Sequence, residues 1–275
     1  MTINCRGKLI DLSSPKVMGI LNITPDSFHD GGQFLNPDQA LKQVEKMLAD
    51  GADMIDIGGM SSRPGAEIIS TTEEINRILP VVKSIIKHLP QAIISVDTLN
   101  AEVADVVLQA GAHIINDISA GRYHSRMLDT VAFHKAPFII MHMQGLPTGM
   151  QQAPQYTNVI TEVYDFFIER LNTCRKAGII DTILDPGFGF GKTVEHNYAL
   201  LRHLNYFTNL NQPILGGFSR KSMICKVLGV NPDKALNGTT ATNMLALVNG
   251  AQFLRVHDVK EAMECIKILE AYQKG

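Results

Sequence analysis

The sequence predicts a single (β/α)8 TIM barrel, and three observations support this fold class. The chain has 275 residues, close to the roughly 250 that one such barrel takes as a single domain. Short apolar runs rich in Ile and Val alternate with longer segments of helical spacing, which is typical of a parallel sheet buried on both faces. Eight such runs can be counted, and eight strand–helix units close naturally into a barrel. We therefore assign residues 1–275 to one barrel domain with a short N-terminal hairpin.

The eight predicted strands are too short for helices and too apolar for strands with one face in water. In chain order they cover residues 17–21, 54–57, 92–96, 113–115, 138–141, 182–184, 213–215 and 252–256. An open, doubly wound sheet is the alternative, but such a sheet more often carries a glycine-rich turn after its first strand. Here the first strand runs into Asn22, Ile23, Thr24 and Pro25. Residues 2–13 are expected to form a hairpin that plugs the N-terminal end of the barrel.

The segments between the strands carry the spacing and capping residues of helices. Asn36 suits an N-cap with Pro37 at the first helical position, and Gly51 suits the end of that helix. The stripes of apolar residues that follow predict further helices. These cover residues 72–86, 103–110, 156–177, 243–248 and 262–271.

Composition excludes several classes of protein. There are 25 Lys and Arg residues against 27 Asp and Glu residues, so no basic excess indicates nucleic acid or an anionic membrane surface as a partner. No apolar run approaches the roughly 18 residues of a membrane span, and no signal-peptide core is found near the N-terminus. The four cysteines are scattered without a Cys-x-x-Cys pair. Reduced thiols in a cytoplasmic protein are therefore expected.

Polar residues end the apolar runs, and in a barrel the C-terminal ends of the strands converge on the active site. The residues at these ends are Asn22, Asp56, Asp97, Asn116, Asp117, His142, Asp185, Ser219, Arg220, Lys221, Arg255 and His257. An Asp in such a position is often only the N-cap of the next helix, and Asp56 and Asp117 fit that structural role best. His142 could equally be an inner-barrel histidine whose hydrogen bonds are satisfied.

The remaining residues of this set combine two kinds of chemistry. Asp97, Asn116 and Asp185 suit the donor–acceptor edge of a flat heterocycle such as a pterin or purine. A cationic side formed by Lys221, Arg255 and His257 suits phosphate oxygens. No His/Cys cluster indicates a transition metal, whereas Asn22 could give one oxygen to a Mg²⁺ ion held mainly by phosphates and water.

Two long loops and one decoy motif complete the pattern. Residues 24–32 and 58–67 mix glycine with polar and charged residues, which is typical of loops that close over a substrate. Residues 186–193 nearly match the Walker A pattern, but Pro186 stands where its first glycine is required.

Together, the motifs of this chain resemble those of the dihydropteroate synthase family, in order and over nearly the whole sequence. They lie at residues 19–32, 51–65, 95–98, 114–117, 141–145, 185–192, 219–222 and 255–258. The resemblance implies a transferase of folate biosynthesis with Mg²⁺ as cofactor. It would join a dihydropterin-methyl diphosphate to 4-aminobenzoate by a dissociative, SN1-like substitution, giving dihydropteroate and pyrophosphate.

The resemblance also implies a role for each residue that matches a family motif. The pterin would be held by Asp97, Asn116, Met141, Asp185, Gly217 and Lys221. The diphosphate would be held by Asn22, Ser62, Arg63, Arg255 and His257, with Asn22 on Mg²⁺. The 4-aminobenzoate would be held by Phe28, Ser62, Pro64, Phe190, Lys221 and Ser222. The catalytic groups would be Arg255, His257, Arg63, Lys221, Asp97 and Asp30.

Two alternatives stay open at this stage. A methyltetrahydrofolate-dependent methyltransferase could share the heterocycle-binding residues, but it would not need the Arg255/His257 side. A non-catalytic pterin-binding scaffold would gain little from two polar closing loops.

Ser62 stands where the family usually has Thr, and Met60 occupies a variable position, so the response to sulfonamide inhibitors stays open. The resemblance further suggests a homodimer.

Overall fold

An eight-stranded parallel sheet forms the barrel of the computed structural model, which describes residues 1–23, 36–60, 69–145 and 154–275. The sheet order is β8-β7-β6-β5-β4-β3-β10-β9. Its strands are β3 (Lys16–Asn22), β4 (Met54–Gly58), β5 (Ile94–Asp97), β6 (Ile114–Asp117), β7 (Phe138–Met141), β8 (Thr182–Asp185), β9 (Leu215–Gly216) and β10 (Phe253–Val256). A parallel bridge between Leu184 and Ile214 joins the two ends of this order. All eight predicted strands are confirmed, with ends that differ by at most two residues.

Helices follow the barrel strands in the described residues. They are α1 (Pro37–Ala49), α2 (Thr71–His88), α3 (Ala101–Gln109), α4 (Met127–Phe133), α5 (Val159–Ala177), α6 (Val194–Arg202), α7 (Ser222–Leu228), α8 (Leu236–Val248) and α9 (Val259–Lys274). The Asn36 side chain caps α1 and Pro37 is its first residue, as predicted. Gly51 lies just beyond the end of this helix with φ of 107°. None of the helices in these ranges is long and apolar enough to cross a membrane.

Four helices differ from the sequence prediction. No boundaries were predicted for α4, α6 and α7, and α4 has only seven residues and no side-chain hydrogen bond at its N-cap. Helix α8 begins at Leu236, seven residues before the predicted start at Asn243. Its first turns carry Thr239 and Thr240, whose hydroxyls donate to the carbonyls of Ala235 and Leu236. Threonines whose hydroxyls bond to the backbone of the same helix interrupt the apolar spacing by which a helix is recognised in a sequence.

The N-terminal hairpin closes one end of the barrel. Strands β1 (Thr2–Cys5) and β2 (Lys8–Asp11) pair antiparallel, which confirms the predicted hairpin. Its buried residues pack against the first interior layer of barrel side chains, and the cluster comprises Ile3, Cys5, Ile10, Leu12, Met18, Met54, Ile114, Ile139, Ile183, Leu215 and Phe253. The Arg6 guanidinium donates to the carbonyls of Leu108 and Ala112 at 2.7 and 2.6 Å. The hairpin thereby covers the N-terminal end of the barrel.

Candidate functional site

The site lies directly above the apolar cluster that the hairpin and the first interior layer of the barrel form. Side chains two residues apart on a strand point to the same face. The residue two positions after each interior apolar side chain therefore also faces the interior, nearer the C-terminal end. Those second residues are Asp56 after Met54, Asn116 after Ile114, Met141 after Ile139, Asp185 after Ile183, Gly217 after Leu215 and Arg255 after Phe253. Six distant parts of the chain thus supply one mouth, as the strand-end residues predicted.

Arg255 lies at the centre of a chain of charged groups. Its Nε donates to Asp56 Oδ2 at 2.7 Å, and its Nη2 donates to Asp97 Oδ2 at 3.0 Å. Burial lowers the pKa of Arg255, but Asp56 and Asp97 outweigh that effect and the net pKa is raised. Burial raises the pKa of Asp97, against the opposing charge of Arg255. The sequence assigned Arg255 to a separate cationic side, whereas its long side chain reaches between two carboxylates.

Asp185 and Lys221 form the second charged group of the site. The amide of Gly187 donates to Asp185 Oδ1 at 2.7 Å, and Lys221 Nζ donates to the Phe188 carbonyl at 2.6 Å. Lys221 Nζ also lies 4.8 Å from the centre of the Phe190 ring. Burial lowers the pKa of Lys221 to about 8, and the nearby Asp185 opposes this shift. Residues predicted for the pterin and for the aminobenzoate are therefore adjacent.

An apolar wall completes the mouth. Met141, predicted for the pterin, packs in a buried cluster with Leu99, Ile118 and Met143. Met60 and Phe190 are partly buried against that cluster. A flat heterocycle needs such a surface for its face as well as polar groups for its edge. Leu99 and Ile118 were not predicted as site residues, because apolar residues beyond a strand end carry no chemical signal in the sequence.

Lys192 anchors the loop between β8 and α6. Its Nζ is buried within 3.0 to 3.2 Å of four acceptors, which are His142 Nδ1 and the carbonyl oxygens of His142, Gly187 and Phe190. Burial lowers the pKa of Lys192 to about 7. This lysine binds its own loop, which agrees with rejecting the residues around it as a phosphate-binding Walker motif.

His142 and Asp117 have structural roles. His142 follows the interior residue Met141, so it faces away from the barrel interior, where its ring meets Phe166 edge-on at 4.9 Å. Burial lowers the pKa of His142 to about 2, so this histidine is neutral, but the inner-barrel location considered for it is wrong. Asp117 Oδ1 accepts hydrogen bonds from the amide and hydroxyl of Ser119, both at 2.7 Å. Asp117 is therefore structural, but it stabilises a turn and does not cap the next helix as predicted, because the N-cap of α4 is Arg126.

Asp56 is structural in a different sense from the one predicted. The N-cap of the following helix is Ser70, whose Oγ accepts from the Glu73 amide. Asp56 instead lies fully buried inside the barrel. There its Oδ2 accepts from Asn116 Nδ2 at 3.0 Å as well as from Arg255.

The end of β9 and the start of α7 hold further predicted residues. The His257 amide donates to Ser219 Oγ at 3.2 Å, and Ser222 is exposed as the first residue of α7. Arg220 pairs with Asp258 through two hydrogen bonds of 3.0 and 2.7 Å, although its φ is 55°, which is rare for a residue other than glycine. It thereby ties together the segments that carry Lys221 and His257. The sequence assigned it no role.

Asn22 occupies the end of β3 beside Gly58. A Cβ placed on Gly58 would lie 3.7 Å from Asn22 Oδ1 and 3.8 Å from Asp97 Cβ, so these two side chains flank that glycine. Within the described ranges, no group of three His, Cys, Asp or Glu residues is placed to hold a metal ion. The predicted residues Phe28, Asp30, Ser62, Arg63 and Pro64 lie outside the described residues.

Comparison with known proteins places the chain in a family. Residues 18–257 match the family described as pterin binding enzyme. The dihydropteroate synthase of Escherichia coli K12 is 46% identical over 273 residues, which cover 98% of this chain and 96% of that protein. The chain belongs to the dihydropteroate synthase family. The predicted family and transferase activity are confirmed, and the methyltransferase alternative is not favoured.

Solved structures of the family share the whole fold. The Yersinia pestis dihydropteroate synthase, in complex with a sulfonamide drug, has a TM-score of 0.95 at 45% identity, with 100% of both chains covered. The Xanthomonas albilineans enzyme in complex with 7,8-dihydropteroate has a TM-score of 0.90 at 37% identity, with 99% of each chain covered. The predicted barrel is confirmed.

Proposed function

We propose that this chain joins a dihydropterin-methyl diphosphate to 4-aminobenzoate at the mouth described above, releasing pyrophosphate. The observation that carries this proposal is the convergence of Asp97, Asn116, Asp185, Lys221 and Arg255 on one buried mouth. Relatives support the substrate class, because solved structures of the family contain 7,8-dihydropteroate and 4-aminobenzoic acid. Sulfonamides are proposed as inhibitors of this chain, because the Yersinia pestis enzyme forms a complex with a sulfonamide drug.

The heterocycle would be recognised by its edge and its face. Asp97, Asn116 and Asp185 offer oxygen acceptors for ring and exocyclic N–H groups. Gly217 has no side chain, and a Cβ placed there would lie 3.7 Å from Lys221 Nζ, so this glycine leaves room for a ligand beside the ammonium. Met141 would cover the face of the ring.

Catalysis would depend mainly on stabilising the leaving group. The carbon–oxygen bond to the diphosphate breaks as negative charge moves to its oxygen, leaving a methylene cation stabilised by the electron-rich ring. The neutral amine then forms the new carbon–nitrogen bond and releases a proton. Arg255 and His257 would bind the diphosphate, together with Ser62 and Arg63, and Asp97 would offset positive charge on the pterin. A strong base or a Ser or Cys nucleophile is not required by this path.

Asn22 would supply the protein ligand for Mg²⁺. Mg²⁺ commonly binds few protein groups and completes its shell with water and substrate phosphates. A lone amide oxygen at a strand end fits that pattern better than an all-protein site. When bound, the ion would neutralise charge on the diphosphate.

The aminobenzoate would lie on the Phe190 side of the mouth. Phe190 and Lys221 are already in contact there, and the exposed Ser222 hydroxyl is available for the carboxylate. Phe28, Ser62 and Pro64 are proposed to complete this side from the two loops, and Asp30 is proposed to offset positive charge on the pterin. Serine keeps the hydroxyl of the usual threonine at position 62 and loses only a methyl group.

Product formation tests the proposed function. Purified protein, both substrates and Mg²⁺ are expected to yield dihydropteroate and pyrophosphate, and omission of Mg²⁺ tests the cofactor separately. Failure to form dihydropteroate at saturating substrate concentrations would contradict the proposal.

Substitution of Arg255 tests the leaving-group step. Arg255→Ala is expected to lower kcat by about 10²–10³, the typical effect of removing one donor to a developing anion. Binding of a dihydropterin, measured by titration calorimetry, should be partly retained. Arg126→Ala is the matched control, because Arg126 is an exposed arginine paired with Glu102 at 2.7 Å. Turnover like that of the wild type in Arg255→Ala would refute the role.

We also propose a homodimer through the face formed by α7 and α8. Helix α7 packs beside α8, and the two expose Val227, Leu228, Leu245 and Val248 by 59%, 48%, 50% and 56%. Exposed apolar residues on two helices that pack together are consistent with an interaction surface. Leu245→Glu is expected to give a monomer in light scattering, whereas Phe133→Glu, at an exposed position on α4, should leave the mass unchanged. Equal masses for both variants would argue against this face.

A cytoplasmic location is proposed as well. All four cysteines are free thiols, which suits a reducing compartment.

A further inference from the structure

Asp56 belongs to the same interior ring of polar side chains as Asn116 and Arg255, each two residues after an apolar residue of the first interior layer. In the sheet register, Asp56 is opposite Ser95, whereas Gly58, two residues further along β4, is opposite Asp97. Asp97 in turn is opposite Asn116. The Asp56 side chain is fully buried, so it acts from inside the barrel on the side chains that would contact the ligand.

One oxygen of Asp56 serves both ends of the mouth. Oδ2 accepts from Asn116 Nδ2 at 3.0 Å and from Arg255 Nε at 2.7 Å. Asn116 belongs to the heterocycle end and Arg255 to the diphosphate end. The two side chains therefore share one anchor, although 139 residues separate them in sequence (255 minus 116).

This anchor determines which atoms the two residues offer to a ligand. A carboxylate can only accept hydrogen bonds, so Asn116 must turn its amide nitrogen toward Asp56 and its carbonyl oxygen away. That orientation presents an acceptor to the N–H groups of a heterocycle. For Arg255, the bond from Nε to Asp56 and the bond from Nη2 to Asp97 fix the guanidinium plane and leave Nη1 out of both contacts.

We propose that Asp56 is a positioning residue that orients Asn116 and Arg255 together, and so couples heterocycle binding to stabilisation of the leaving diphosphate. The proposal rests on the roles of Asn116 and Arg255 in the proposed function.

A purely structural role accounts poorly for a carboxylate here. Asp56 Oδ1 is buried and has no hydrogen-bond partner among the described residues, which is unfavourable in a barrel interior. Well-packed apolar residues often replace buried ion pairs without loss of stability. The Asp56 carboxylate is instead explained by the two side chains that it holds in place, Asn116 and Arg255.

Asp56→Asn is the variant that tests the proposal. It keeps the shape and an oxygen acceptor but removes the charge, so the expected losses are about 10-fold to 100-fold in kcat and in dihydropterin affinity, the usual scale for hydrogen bonds to charged groups. Ser95→Ala is the matched control, because Ser95 is buried opposite Asp56 and its Oγ has no partner in the described part of the chain. Its kcat and affinity should match the wild type.

Double-mutant cycles separate positioning from general damage. If Asp56 acts through Arg255, Asp56→Asn should cost far less in kcat when Arg255 is already Ala, and the same should hold for affinity when Asn116 is already Ala. Additive losses in both cycles, or a wild-type Asp56→Asn enzyme, would overturn the proposal. Wild-type turnover in Arg255→Ala would instead remove the proposed role of Arg255.

A second variant covers the case in which Asp56→Asn does not fold. Arg255→Lys keeps the charge but lacks the Nε–H fork that joins Asp56 to Asp97. The proposal expects weaker dihydropterin binding in this variant together with slower turnover. Unchanged dihydropterin binding would overturn the coupling.

Discussion

Burial at single residues sets the charges that this site presents to its ligand. The Lys221 ammonium is largely desolvated, which brings its pKa down to about 8, and burial raises the pKa of Asp97. The pKa of the Asp97 carboxyl and the pKa of the Lys221 ammonium therefore both move toward neutral pH. Each group is useful in its charged form, Asp97 as an acceptor and Lys221 as a donor and cation.

The pH profile should report on Lys221. Because its ammonium is required, kcat/KM is expected to fall as pH rises through about 8. Lys221→Arg should move this basic limb upward, since a guanidinium stays protonated throughout that range. Steady-state kinetics between about pH 6 and about pH 10 measures the basic limb of the wild type and that of Lys221→Arg. An identical basic limb in the two enzymes would assign the titration to another group.

Residue identities at the strand ends were predictable, but their partners were not. Asp97, Asn116, Asp185 and Arg255 could be found because parallel strands deliver their last residues to one end of a barrel. Asp56 was taken for a cap because an Asp at the end of a strand often caps the next helix, and its neighbours Ile55 and Ile57 are as apolar as Met54. A strand buried on both faces gives no alternation from which to read its interior side.

At the scale of elements, the loop after β8 shows how a sequence enforces one backbone path. Gly187, Gly189 and Gly191 all have positive φ, at 69°, 82° and 60°, and Lys192 Nζ binds carbonyl oxygens of the same loop. The loop holds Asp185 through the Gly187 amide and Lys221 through the Phe188 carbonyl. Spacing alone could show a glycine-rich loop but not its lysine anchor, because the four acceptors come together only in the folded chain.

Alanine at Gly187 should damage this loop beyond the cost of its φ. A Cβ there would lie 1.9 Å from the His142 carbonyl oxygen, so the backbone must move. Gly178→Ala is the matched control, because Gly178 has φ of 92° and no atom within 4 Å of an added Cβ. The control should lose about 1–2 kcal/mol of unfolding free energy, and Gly187→Ala should lose more and also bind dihydropterin less tightly. Equal losses with unchanged binding would contradict this account.

At the scale of the whole molecule, stability and chemistry occupy opposite ends of the barrel. The hairpin and the first interior layer form one apolar cluster, and the charged mouth lies beyond it along every contributing strand. The hairpin was predictable from two apolar stretches around Gly7, whereas its packing partners depend on closure of the barrel. Changes at the hairpin should therefore alter folding without altering the reaction.

Two adjacent hairpin residues test this separation. Ile10 is 6% exposed and Leu9 is 72% exposed, because consecutive strand residues point to opposite faces. Ile10→Ala should lower the free energy of unfolding by about 2–5 kcal/mol through loss of buried contacts and an unfilled cavity, while Leu9→Ala should stay within about 0.5 kcal/mol of the wild type. Denaturant titration measures both, and kcat measured below the unfolding transition should be the same in all three proteins. A reduced kcat in folded Ile10→Ala would show that the two ends of the barrel are coupled.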